Sequence, residues 1–184
     1  MDRDLDHVLV ESCRSGDQAA FATLVTRYQQ PIYNAAYRVL GNADDAADTA
    51  QAVFLKVAER LGDYDPRFKF FSWIYRITVN ESLNLLRSNG RQDPLDEEMD
   101  IAGPPGDDPE RQVHEAQVSR QVQAALMRMK PDDRVVLTLR HFSECSYREM
   151  GNILELDEKT VKSRLHEARR RLKGLLKDLQ DAWT

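Results

Sequence analysis

The chain has 184 residues, 41% of them hydrophobic and 31% charged, with a formal net charge of −5. That is enough for one medium domain or two small ones, and no run of 18 apolar residues is present to span a membrane. The acidic balance taken alone discourages a nucleic-acid partner, and the low mean hydropathy argues against one large core.

The N-terminus, MDRDLDHVLVESCRSGD, is charged throughout and lacks the apolar centre of an export signal, so a cytoplasmic location is expected. Gly16-Asp17, Gly41-Asn42 and Gly62-Asp63 punctuate the first half into helices over 4–14, 18–40, 43–61 and 70–88. Residues 91–111, RQDPLDEEMDIAGPPGDDPER, carry eight acids, four prolines and two glycines between the flanking arginines, which cannot bury a core and reads as a flexible linker. Beyond it, helices are expected over 111–129, 132–142, 147–154 and 158–180, with Pro131 at a helix start. The expected fold is all-α, with two small helical domains (1–90 and 112–184) joined by the acidic linker 91–111.

The stretch YDPRFKFFSWIY, 64–75, gathers six of the fourteen aromatics of the chain and interleaves them with Arg67 and Lys69. On a helix over 70–88, Phe71, Ile74, Tyr75, Thr78, Ser82, Leu85 and Leu86 share a packing face. Trp73, Arg76, Asn80, Asn84 and Arg87 gather opposite it. An exposed Trp beside Arg and amides suits base stacking with hydrogen bonds to base edges and phosphates, and the Pro66 loop before it can receive an unstacked base.

In the last two helices, Ser146 and Glu149 have the spacing of a capping box, and Asp157 can cap the helix that follows a turn at Glu155-Leu156. Val161, Leu165, Ala168, Leu172, Leu175, Leu176 and Leu179 form its apolar stripe. Opposite stand Lys159, Lys162, Ser163, His166, Arg170 and Lys173, and 159–177 holds eight Lys or Arg against one acid. A short helix, a tight turn and a longer basic helix make a helix-turn-helix, whose second helix enters the DNA major groove.

Four histidines (His7, His114, His141 and His166) are scattered. With Cys13 and Cys145 far apart and no nucleophile set or glycine-rich phosphate loop, no enzyme, metal or cofactor is expected.

The segments GDQAAFATLVTRYQQPIYNAAYRVLGN, DAADTAQAVFLKVAERL, FFSWIYRITVNESLNLLR and MKPDDRVVLTLRHFSECSYREMGNILELDEKTVKSRLHEARRRLK resemble bacterial RNA polymerase sigma factors of the extracytoplasmic-function (ECF) type, in the family's order. The resemblance implies binding to core RNA polymerase, at the β′ clamp and β flap, and to promoter DNA. By it, Tyr64, Arg67, Phe68, Lys69, Trp73, Arg76, Asn80, Asn84 and Arg87 serve the −10 element. Lys159, Thr160, Lys162, Ser163, Arg164, His166, Arg169 and Arg170 serve the −35 element, and Asp45, Asp48, Gln51, Ala52, Phe54 and Leu55 form the polymerase-docking surface.

The docking helix departs from the family pattern, because Ala47 and Ala52 stand where acids are usual. A helical wheel puts Thr49 on the depleted exposed stripe with Asp45, Asp48, Ala52 and Lys56, opposite a packed stripe of Ala46, Ala50, Val53, Phe54, Val57 and Leu61. Phosphorylation of Thr49 by a serine/threonine kinase would restore negative charge there. Control by an anti-sigma factor is the other expectation, and a sigma-like decoy that binds a regulatory protein instead of promoter DNA is the alternative function.

Overall fold

The computed structural model describes residues 3–88 and 109–181, with side chains placed for 5–88 and 117–177. The linker segment 91–108 and the side chains of His114 and Leu179 therefore lie outside the described residues. Among the described residues eight α-helices follow one another: α1 Arg3–Arg14, α2 Gln18–Leu40, α3 Ala43–Arg60, α4 Phe70–Ser88, α5 Pro109–Met127, α6 Pro131–Leu137, α7 Tyr147–Leu154 and α8 Glu158–Asp181. A 3-10 turn, Leu61–Asp63, follows α3, and α6 runs into a single π turn, Thr138–Phe142. The described residues contain no strand.

Local chemistry sets these boundaries. Asp17 caps α2 by accepting from the backbone N–H groups of Ala19 and Ala20. The same helix stops at Gly41, which is left-handed at φ 80° and donates its N–H to the Tyr37 carbonyl. Gly41 is needed for a second reason: a Cβ there would sit 2.0 Å from Met127 Sδ at the end of α5. One residue on, Asn42 caps α3 through the N–H of Asp45, and α6 opens with Pro131 in its first turn.

α1 to α4 pack around Tyr28, Phe70, Leu24, Ile32 and Ile74, all under 2% exposed. Phe70 sits edge-on to Tyr28 and Tyr64, with ring centroids 5.4 and 5.6 Å away. Burying each of these large side chains is worth roughly 1.5–3 kcal/mol. Tyr28 donates to Asp6, which also meets Arg27 at 3.1 Å, so the buried carboxylate of Asp6 is both paired and hydrogen-bonded.

The low mean hydropathy pointed to separate small cores, and here the structure differs. A single continuous cluster joins Phe71, Tyr75 and Val79 of α4 with Val135, Leu139, Met150, Ile153 and Leu165 of the second half. α2 packs against α5, α6 and the π turn, and α4 packs against α7. Polar bonds cross the same seam. Arg134 is buried and donates to the Val39 carbonyl at 2.7 Å and to the Met129 carbonyl at 3.0 Å. Arg38 donates to Gln123 and Ser119 and lies 4.3 Å from the centroid of the Phe142 ring.

Candidate nucleic-acid interface

The helix-turn-helix is built by its caps. The Ser146 hydroxyl accepts the N–H of Glu149 at 3.2 Å while the Glu149 carboxylate accepts the N–H of Ser146 at 2.8 Å, the reciprocal pair expected from their spacing. α7 ends on Glu155, left-handed at φ 55°. The chain then turns back so closely that a Cβ on Gly151 would come within 2.7 Å of the Leu156 carbonyl oxygen, so only glycine fits. Asp157 accepts from both the N–H and the hydroxyl of Thr160 to start α8, and these bonds hold its carboxyl below the usual range.

α8 buries Val161, Leu165 and Ala168 against the rest of the fold, with Leu172 and Leu175 half-buried. On the outside lie Lys159, Lys162, Ser163, Arg164, His166, Arg169 and Arg170, all exposed, so the basic face expected from the sequence is intact. Thr160 is half-buried by its bond to Asp157. Three of the exposed groups are oriented by neighbours. Arg169 donates to His141 Nε2 at 3.0 Å, Arg170 pairs with Glu167 at 2.8 Å, and Lys162 lies 5.2 Å from the Tyr147 ring. Arg148, exposed in the first turn of α7, lines a groove with Phe68, Arg76, Asn152 and Glu155, a cation the sequence reading passed over.

The aromatic stretch divides differently from the sequence expectation. Tyr64 is buried, its hydroxyl donating to the Phe68 carbonyl at 2.8 Å and its ring packed edge-on to Phe70 and tilted against Trp73, so it is not open to a base. Trp73 is half-buried, 5.7 Å from both the Tyr64 and Phe70 rings, rather than exposed. The loop instead presents Phe68, 41% exposed, with Arg67 and Lys69 beside it. Arg67 is held by Asp65 at 2.6 Å, a bond that depresses the Asp65 carboxyl. Further along α4, Asn80, Asn84 and Arg87 are exposed on one side, and Arg87 donates to Asn84. Arg76 is half-buried because it reaches across to α7.

On α3 the packed stripe is as expected, with Ala46, Ala50, Val53, Val57 and Leu61 buried and Phe54 half-buried. Thr49 is not on the exposed stripe. It is 4% exposed, because α3 is flanked by both α2 and α4 and its buried arc is wider than one wheel stripe. Asp44, Asp48, Gln51 and Leu55 line the outer face, with Leu55 60% exposed, and Asp45 and Ala52 sit at its margin. Lys56 turns toward α4 and pairs with Glu81 at 2.6 Å. Among the described residues no group of three or more His, Cys, Asp or Glu is placed to hold a metal, and no helix is long and apolar enough to cross a membrane.

A helical bundle with an aromatic, basic loop, joined to a capped helix-turn-helix with a basic outer face, defines a nucleic-acid-binding protein of two functional regions. Comparison with known proteins resolves the class further. The Sigma-70 region 2 family matches residues 24–92, and Sigma-70 region 4 matches residues 119–172. The ECF RNA polymerase sigma factor SigW of Bacillus subtilis is 33% identical, over 92% of this chain and 96% of its own. The RNA polymerase sigma-H factor of Pseudomonas aeruginosa is 31% identical, over 96% of each chain. Among solved structures, CnrH in complex with the cytosolic domain of CnrY is 26% identical with a TM-score of 0.71, over 95% of this chain and 98% of that one. The chain belongs to the ECF RNA polymerase sigma factors.

Proposed function

We propose that this sigma factor docks on core RNA polymerase through the outer face of α3 and directs it to promoters by using two surfaces. The loop around Phe68 and Lys69, with Asn80, Asn84 and Arg87 of α4, takes the −10 strand. The exposed residues of α8 read the −35 element in the major groove. The observation that carries the reading is the cap-and-turn geometry of α7 and α8, which aims a face of Lys, Arg, Ser and His outward from a buried Val161–Leu165–Ala168 stripe.

Docking rests on Asp48, Gln51 and Leu55, an apolar side chain set among polar ones. The acids missing at Ala47 and Ala52 lower the electrostatic steering of this face rather than its packing. Phosphorylation of Thr49 loses its geometric support, because a kinase needs an accessible hydroxyl and this side chain is enclosed. Control by a protein partner is the better reading, and the likeness to CnrH bound to the cytosolic domain of CnrY supports it. A decoy with no DNA role has no need for an outward basic helix, so that alternative is not favoured.

The test is in vitro transcription with core polymerase and genomic promoter fragments from the native host. Initiation dependent on the added protein is expected, and its absence at every promoter would remove the reading.

A further inference from the structure

We infer that His141, in the π turn, is a positioning residue for the −35 contact: its ring accepts the Nε–H of Arg169 and so aims the terminal nitrogens of that arginine at a DNA phosphate. This deepens the −35 reading proposed above and rests on it.

Arg169 Nε donates to His141 Nε2 at 3.0 Å, from α8 to the π turn 28 positions earlier. An imidazole nitrogen accepts only when it carries no proton, so the ring is neutral with its proton on Nδ1. Both side chains are exposed. The bond uses the Nε–H alone, and Nη1 and Nη2 of Arg169 have no partner among the described residues. Those two nitrogens form the planar end of the guanidinium fork, which matches the oxygens of a phosphate.

A positioning group must itself be held, and His141 is anchored on both sides. Before it, Arg140 donates to the Cys145 carbonyl at 2.8 Å and lies 5.0 Å from the centroid of the Tyr147 ring, which ties the turn to the start of α7. After it, Phe142 lies under the Arg38 guanidinium of α2 at 4.3 Å. Thr138 and Leu139 root the turn in the core, and the Ser143 N–H closes it on the Thr138 carbonyl at 3.0 Å. Single π turns of this kind concentrate at functional sites.

The bond matters for orientation more than for folding. An exposed hydrogen bond contributes little net stability, because water serves both partners when it breaks. A long arginine side chain, however, gives up rotamer freedom when it meets a phosphate, and holding it beforehand removes part of that cost. Arg164, exposed on the same helix, has no such partner among the described residues and provides an internal control.

A double-mutant cycle tests the inference, using the complex of the full chain with core polymerase on duplex promoter fragments from the native host. His141→Ala should weaken promoter binding by roughly three- to tenfold, the scale of immobilising one long side chain. In an Arg169→Ala background the same substitution should change affinity by less than about twofold, whereas with Arg164→Ala it should simply add. His141→Gln offers an amide oxygen to the same N–H and should restore most of the loss. The salt slope separates positioning from contact: Arg169→Ala should lower it by about one, and His141→Ala should leave it unchanged. In the free chain at neutral pH, the ring nitrogen shifts of His141 should report a proton on Nδ1 and none on Nε2.

A loss from His141→Ala that persists without Arg169 overturns the inference, because the ring would then touch DNA itself or support the fold. So does no loss at all, or the opposite tautomer in the free chain. If the complex initiates at no promoter, the sigma reading fails and takes this inference with it. If it initiates with His141 and Arg169 uncoupled, this inference alone fails.

Discussion

The guanidinium of Arg134, in α6, donates to the carbonyl oxygen of Val39, in α2, across the seam between the two halves of the chain. The same group donates to the Met129 and Met127 carbonyls, so one buried cation satisfies acceptors at the ends of α2 and α5 together. Burial pushes its pKa down from the ordinary arginine value, yet a guanidinium keeps its charge. The five donors of Arg are held in a planar fork, which a lysine ammonium cannot imitate.

Arg134→Met should therefore destabilise the chain by about 2–4 kcal/mol, because buried carbonyls lose their donor while the side-chain volume is kept. Arg134→Lys should recover less than half of the loss. Urea denaturation of the full chain measures both. A loss under roughly 0.5 kcal/mol would mean that the seam does not depend on this bridge.

Thr49 gives an opposite prediction to the one its sequence position invites. Since it is 4% exposed, Thr49→Glu should cost on the order of 2 kcal/mol or more and reduce transcription through misfolding, with no gain in polymerase binding. Thr49→Val should be nearly neutral. Thermal unfolding with a polymerase pull-down distinguishes this from a phosphorylation switch, in which the Glu variant would bind better.

The two nucleic-acid surfaces should fail in different ways. Lys162→Ala and Arg170→Ala remove exposed cations of α8, and each should weaken −35 duplex binding by roughly three- to tenfold while lowering the salt slope by about one. Asn80→Ala, on exposed α4, should leave −35 binding unchanged and reduce promoter opening instead. Permanganate footprinting beside duplex binding measures the two, and identical defects would dissolve the division of labour.

Much of this was legible from the sequence because it is local. The breaks at Gly16, Gly41 and Gly62, the Ser146–Glu149 box and the apolar stripe of α8 each act within a turn or two, and the helices lie within about two residues of expectation, except that α6 stops at Leu137 and the rest of the expected 132–142 is the π turn. What failed was non-local. A wheel assumes one buried face, and α3 has neighbours on two sides, which is why Thr49 looked exposed. Tyr64 was read as a loop aromatic beside Pro66, but its hydroxyl closes the loop on the Phe68 carbonyl and its ring fills the core. The pairings Arg38–Gln123, Lys69–Glu149 and Arg134–Val39 join residues 80 or more positions apart, for which no local pattern exists. Mean hydropathy also misled, since the charged surface of α8 and the acidic linker dilute an average that says nothing about where the apolar residues meet.

His141 links the π turn to the recognition helix, and its titration should be visible in stability. Burial, then the charges of Arg169 and Arg140, lower its pKa below the ordinary 6.5, and its Nε2 accepts from Arg169, which requires the neutral ring. A base whose folded pKa is depressed binds protons more readily when unfolded, so stability rises with pH across this range. The contribution is complete above the unfolded value of 6.5 and is lost progressively as pH falls below it toward the folded value. Protonation also removes the acceptor from Arg169, freeing that side chain on the face of α8. Urea midpoints should therefore decline from pH 7.5 to 5.5 by an amount that His141→Gln reduces, while the variant at pH 7.5 stays within roughly 1 kcal/mol of the parent. A parent and variant with parallel pH profiles would show that His141 stays outside this linkage and that the decline belongs to other groups.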